Sequence, residues 1–223
     1  MSMWTLLAAL VCALIVWFLI ARQLTSQPWL ATGDAGSSQD IGIPGLPVKK
    51  IGLYFFLAVV SSLFALFFTA YIMRMDPNHG GDWLSIPKPG ILWLNTFLLF
   101  GSSAAMQWAS SASHNLNAKY LRTAVATGGT LALLFLIGQL LAWQQLSQFN
   151  HQLSNPALGF FYLLTGIHAL HLIGGMYVWT RAFIRIMAGV NAPSIHLSIE
   201  LCTVYWHYLL LVWLVLFGLL LNT

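Results

Sequence analysis

The sequence predicts an all-α polytopic membrane protein, a bundle of six transmembrane helices with both termini on the outer, periplasmic side. Three observations predict it. The chain is 59% hydrophobic and only 6% charged, against about 25% charged residues in a soluble domain. Its apolar residues form six continuous runs, near 3–21, 51–73, 91–113, 122–146, 157–180 and 197–221, each able to cross about 30 Å as a helix. The connectors between runs differ in charge. Those at 22–50, 114–122 and 181–196 carry Arg22, Lys49, Lys50, Lys119, Arg122, Arg181 and Arg185, whereas the opposite side carries Arg74 and Lys88 beside Asp76 and Asp82. Basic loops stay in the cytoplasm, so this asymmetry sets the direction of every helix.

The first run reads as a retained helix rather than a secretory signal. It starts Met1, Ser2, Met3, Trp4 with no basic residue, and Arg22 follows it. The segment 22–50 is rich in Gly, Ser and Pro and reads as a linker. The chain thus divides into an N-terminal helix with its linker, 1–47, and a five-helix bundle, 48–223. The outer loop 76–89 is rich in Pro and Gly and should be irregular. Runs this continuous exclude a β-barrel, whose strands alternate in polarity.

The third and fourth runs carry uncharged polar residues: Asn95, Thr96 and Gln107, then Gln139 and Trp143 at i, i+4 spacing. Such groups most often hydrogen-bond between helices, worth about 0.6 kcal/mol each. Trp4, Trp17, Trp29, Trp83 and Trp93 lie near span ends and read as an interfacial belt. Cys12 and Cys202 have no partner at metal-ligand spacing and read as apolar filler. No basic run suits a nucleic acid. No Ser-His-Asp set, phosphate loop or carboxylate pair appears, and the second to fifth runs contain no acid.

The fifth and sixth runs carry the ionisable residues that lipid excludes: His168 and His171, then Glu200 and His207 beside Tyr205 and Trp206. A polar side chain in hydrocarbon needs protein, water or a partner subunit. At about 100° per residue, His168, His171 and Gly175 share one stripe, and Glu200, Thr203 and His207 share another. The glycine permits a close helix approach. At about 1.5 Å per residue, His171 and His207 both lie about 14–15 Å from the cytoplasmic edge. Glu200 lies near that edge and is expected to pair with Arg181 or a partner's cation. The side chains alone leave three readings open: a hydrogen-bonded structural network, haem held between His171 and His207, or another metal.

The residues that follow carry a family likeness. Lys49 to Leu57 opens the second helix; Leu92 to Thr96 with Ser102 and Ser103 marks the third; Gly138 to Trp143 marks the fourth. Gly166 to Gly175 marks the fifth, and Glu200, Tyr205, Trp206, His207, Val212 and Trp213 the sixth. Over about 48–221 the chain resembles subunit III of the haem-copper terminal oxidases. The resemblance implies a non-catalytic accessory subunit of an aerobic respiratory oxidase in a bacterial inner membrane. Its partners would be the catalytic subunit I, other subunits and phospholipid.

The resemblance also implies no cofactor on this chain, with haem and copper on partner subunits and phospholipid in a cleft between the first helices and the remaining bundle. Helices two and three are expected to present that groove. His168, His171, Glu200, His207, Trp206, Tyr205, Gln139, Trp93, Asn95 and Arg181 would then form structural, subunit or lipid contacts. The chain departs from many relatives in lacking an acid near Ser61 and Ser62, and again at Leu210. Alternatives are a stand-alone haem-binding membrane cytochrome, an accessory subunit of a nitric oxide reductase system, or a transporter.

Overall fold

The structure, a computed structural model, describes residues 48–75, 83, 90–114, 118–148, 156–189 and 193–221. The predicted first span, its linker and the aromatics Trp4, Trp17 and Trp29 lie outside the described residues, as does most of the outer loop. The described residues form five helices: α1 (Val48–Met75), α2 (Ile91–His114), α3 (Ala118–Gln148), α4 (Pro156–Met187) and α5 (Pro193–Leu221). They coincide with the second to sixth predicted spans. Proline opens α4 and α5, a position where its missing N–H is no loss. The α4 helix closes at Gly189, whose φ of 74° completes a left-handed cap.

Four helices, α1, α3, α4 and α5, combine the length and apolarity needed to cross a membrane. The 24 residues of α2 reach about 36 Å, but its run is less apolar than the prediction assumed. The reason is its hydroxyls and amide, Ser102, Ser103, Gln107, Ser110, Ser111 and Ser113.

Helices α2 to α5 form an up-down-up-down four-helix bundle. Neighbours approach around a ring, α2 to α3 to α4 to α5 and back to α2, while neither diagonal pair brings Cα atoms within 8 Å. The antiparallel register shows in the cross-links. Trp206 pairs with Ser102 and Trp213 with Thr96 between α5 and α2; Trp143 pairs with Thr165 and Trp179 with Val125 between α3 and α4. The core holds Leu99, Phe135, Leu172, Trp206, Leu209 and Trp213, all fully enclosed.

The α1 helix is different. Its backbone stays more than 8 Å, Cα to Cα, from every other described helix. Large side chains bridge the gap. Phe64 meets His171 at 5.6 Å between ring centroids, and Tyr71 meets Phe160 at 5.8 Å. Lys50 and Ser61 reach Glu200 and Tyr208 in the same order along both chains, so α1 runs parallel to α5.

Candidate functional site

The polar residues inside the spans are mostly used to join helices. One pattern recurs: a ring N–H or O–H donates to a hydroxyl that itself donates to a carbonyl. Trp206 Nε1 donates to Ser102 Oγ (2.8 Å), which donates to the Gly128 carbonyl (2.7 Å). Trp213 Nε1 donates to Thr96 Oγ1 (3.0 Å), which donates to the Leu92 carbonyl (2.8 Å). Trp143 and Thr165 repeat it between α3 and α4, ending on the Phe161 carbonyl. Ser61 donates to the Leu57 carbonyl, so Tyr208 is the donor in the 3.0 Å contact between Tyr208 and Ser61. Each relay satisfies an indole or phenol donor where lipid offers no acceptor. Thr96 is among the residues the sequence marks as bonding between helices, whereas Thr165 carries no such signal and only the helix pairing selects it.

The predicted polar set does not gather into one network. His207 turns to α2: Ser103 Oγ lies 2.5 Å from its Nδ1, and its Nε2 donates to Gln107 Oε1 at 3.0 Å. His171 turns towards α1. Its Nδ1 donates to the Ile167 carbonyl at 2.8 Å, and its ring faces Phe56 and Phe64. Thus His171 and His207 do not face a common space in which an iron would sit between them. Across the α4–α5 contact the partner of His171 is Tyr205, whose hydroxyl donates to the His171 carbonyl at 2.8 Å. His168 is wholly buried between Phe135 and Trp213.

Glu200 corrects another expectation. It pairs with Lys50 Nζ at 2.6 Å, not with Arg181. The parallel run of α1 and α5 brings Lys50 to the first turns of α5. Arg181 lies instead in a shallow cavity of about 300 Å³ with Arg185, Tyr177, Ile195 and Ser198. Gln139 and Trp143 share a face of α3 yet serve different helices, Asn95 of α2 and Thr165 of α4. Trp93 is half exposed and packs edge-on against Phe217 at 5.0 Å.

The stand-off of α1 leaves an open apolar groove of about 480 Å³ among α1, α4 and α5. Leu53, Phe56, Leu170, Gly174, Val178 and Tyr205 are among its walls, with His171 at its side. The groove lies between the second predicted helix, α1, and α4 and α5 of the remaining bundle, and the third predicted helix, α2, does not line it. The α2 helix is locked into the bundle by close backbone packing, so the separation falls where α1 meets α4 and α5. Gly175 lets the floor close: a Cβ there would meet Tyr205 Cε1 at 2.5 Å.

Among the described residues, no three His, Cys, Asp or Glu side chains converge as metal ligands would.

Residues 3–221 match the family described as cytochrome c oxidase subunit III. Cytochrome c oxidase subunit 3 of Synechocystis sp. is 28% identical over 176 residues, covering 76% of this chain and 73% of the relative. A probable cytochrome c oxidase subunit 3 of Mycobacterium bovis is 27% identical over 165 residues, 72% of this chain and 79% of the relative. That of Gallus gallus is 26% identical over 180 residues, 75% and 67% respectively. The likeness runs through the helices that carry the indole relays and the groove, and the chain belongs to the cytochrome c oxidase subunit III family, the accessory subunits of haem-copper oxidases.

Proposed function

We propose that this chain supports a haem-copper oxidase structurally, packing against the catalytic subunit I and holding phospholipid, while haem and copper reside on other subunits. The observation that carries this reading is the groove among α1, α4 and α5. It is apolar, open and close to the size of one lipid chain. Val178 lines both the groove and the adjoining cavity where Arg181 and Arg185 lie. An acyl chain in the groove would set its anionic headgroup beside those guanidiniums, a geometry suited to phosphate.

The same geometry supports the proposed orientation in a bacterial inner membrane. The start of α1, the start of α3 and the end of α4 place Lys49, Lys50, Lys119, Arg122, Arg181 and Arg185 at one end of the molecule. Arg74 is the basic residue described at the other end. That end is the cytoplasmic one, and a sixth helix at 3–21 would put both termini outside. His168, His171, Glu200, His207, Tyr205 and Trp206 act in this reading as packing and contact residues.

The test is extraction in mild detergent through a tag on this chain, followed by visible spectroscopy and identification of the co-purifying chains and lipids. The expected result is a large haem- and copper-bearing subunit, no haem on this chain after dissociation, and tightly bound phospholipid. Gly174 lines the groove with nothing near its Cβ position, so Gly174→Trp should fill it and lower the bound phospholipid. Haem retained by the separated chain would overturn the accessory reading; unchanged lipid in Gly174→Trp would overturn the lipid site.

A further inference from the structure

Five buried side-chain polar atoms have no hydrogen-bond partner among the described residues: Trp83 Nε1 beside α1, and four inside the four-helix bundle, both ring nitrogens of His168, Nε2 of Gln139 and Oδ1 of Asn95. The three bundle side chains come from three helices, α4, α3 and α2, and are 0%, 2% and 0% exposed. Isolated orphans of this kind are rare in folded proteins, because each forfeits the hydrogen bond it made before burial. Three such side chains at one level point to a shared partner, which a single molecule can be for Gln139 Nε2, Asn95 Oδ1 and one of the two His168 nitrogens.

The level is fixed from both sides. Phe135, Gln139 and Trp143 are successive i, i+4 positions on one face of α3. On the facing side, Trp143 Nε1 donates to Thr165 at 3.0 Å, and Phe135 meets the His168 ring at 5.8 Å between centroids. Gln139, between these two contacts, is therefore in register with His168. Asn95 joins by donating from Nδ2 to Gln139 Oε1 at 3.3 Å, its Oδ1 lying against Gly138, where any Cβ would displace it. Trp213 closes the layer from α5, 5.3 Å from the His168 ring, with its Nε1 bound to Thr96 next to Asn95.

The orphaned atoms are chemically complementary. Gln139 Nε2 donates, Asn95 Oδ1 accepts, and a neutral imidazole does one of each at its two nitrogens. The direct Asn95–Gln139 bond uses one atom of each amide and leaves the others to be served. A water molecule accepts and donates at once, and buried waters make two to four such bonds, about three being typical.

We propose that Asn95, Gln139 and His168 together bind an ordered water at the centre of the four-helix bundle, with His168 as a water ligand. The water would tie α2, α3 and α4 at a level where Trp213 already ties α5 to α2. The inference concerns the core of this chain and does not depend on which complex the chain joins.

The test is a cryo-electron microscopy map of the wild-type chain, in the complex that co-purifies with it, at a resolution that shows ordered waters. Density is expected within hydrogen-bonding distance of a His168 ring nitrogen and of the Gln139 or Asn95 amide. The proposal fails if those atoms touch only protein, for example with a His168 N–H directed onto the Phe135 or Trp213 face. Thermal unfolding of His168→Leu, Gln139→Leu and the double variant gives an independent reading. Each single substitution should lower Tm, and the double variant should lie close to the lower of the two. Additive shifts, or a higher Tm in His168→Leu, would overturn the shared water. If a variant does not fold, the wild-type map decides.

Discussion

Gly129 is the position where one methyl group should matter most. A Cβ built there collides with the six-membered ring of Trp179, at Cζ2, Cε2 and Cη2. That ring cannot step aside freely, because Trp179 Nε1 donates to the Val125 carbonyl at 3.1 Å and the ring stacks on Phe183 at 5.1 Å. Overpacking of a filled core costs about 1–3 kcal/mol, and losing the indole hydrogen bond costs about 1 kcal/mol more. Replacing Gly by Ala inside a helix returns up to about 1 kcal/mol of propensity. Gly129→Ala should therefore destabilise the bundle by roughly 1–3 kcal/mol. At roughly 2–4 °C per kcal/mol for a chain of this size, Tm should fall by several degrees. Gly174 supplies the control, since nothing lies within 4 Å of its Cβ position, and Gly174→Ala should be neutral or slightly stabilising. The assay is thermal unfolding of both variants in detergent, read by fluorescence-detected size exclusion. Equal Tm for Gly129→Ala and wild type would refute the argument that the α3–α4 contact is closed by this glycine.

Three further outcomes are expected. Trp206→Phe removes the N–H that Ser102 accepts and the pyrrole half of a wholly buried indole, and should cost about 2–4 kcal/mol, seen as a lower Tm with an unchanged helical circular dichroism spectrum. Lys50→Met and Glu200→Gln each remove one half of the α1–α5 ion pair; a double-mutant cycle should give a coupling below about 1 kcal/mol that shrinks in high salt, because both side chains are partly exposed. His207→Ala removes the partner of the buried Ser103 hydroxyl; the complex should dissociate sooner in detergent while its haem spectrum stays the same. A His207→Ala complex of full stability that lost its haem spectrum would contradict the structural role.

Gly175, His171 and Glu200 mark the boundary between what was legible and what was not. The glycine was readable as a point of close approach, and the structure sets Tyr205 against it. The rise per residue set His171 and His207 at one expected level, yet the neighbour of His171 is Tyr205, because helical rotation turns His207 to α2. Glu200 was readable as needing a cation near the membrane edge, but the choice of Lys50 over Arg181 depended on α1 running parallel to α5.

By itself the sequence determined the class of the molecule: long apolar runs can satisfy their backbone only as helices, and the charges of the connectors orient them. The short strings around His168, His171, Glu200 and His207 already carried the family likeness. Only the tertiary structure decided which side chains meet. The groove among α1, α4 and α5, the indole-to-hydroxyl relays and the buried Asn95–Gln139–His168 layer all depend on the rotation and stagger of neighbouring helices. In spans that are apolar on every side, hydrophobic patterning leaves that rotation open. It is fixed by close packing at glycines and by the few hydrogen bonds that lipid cannot replace.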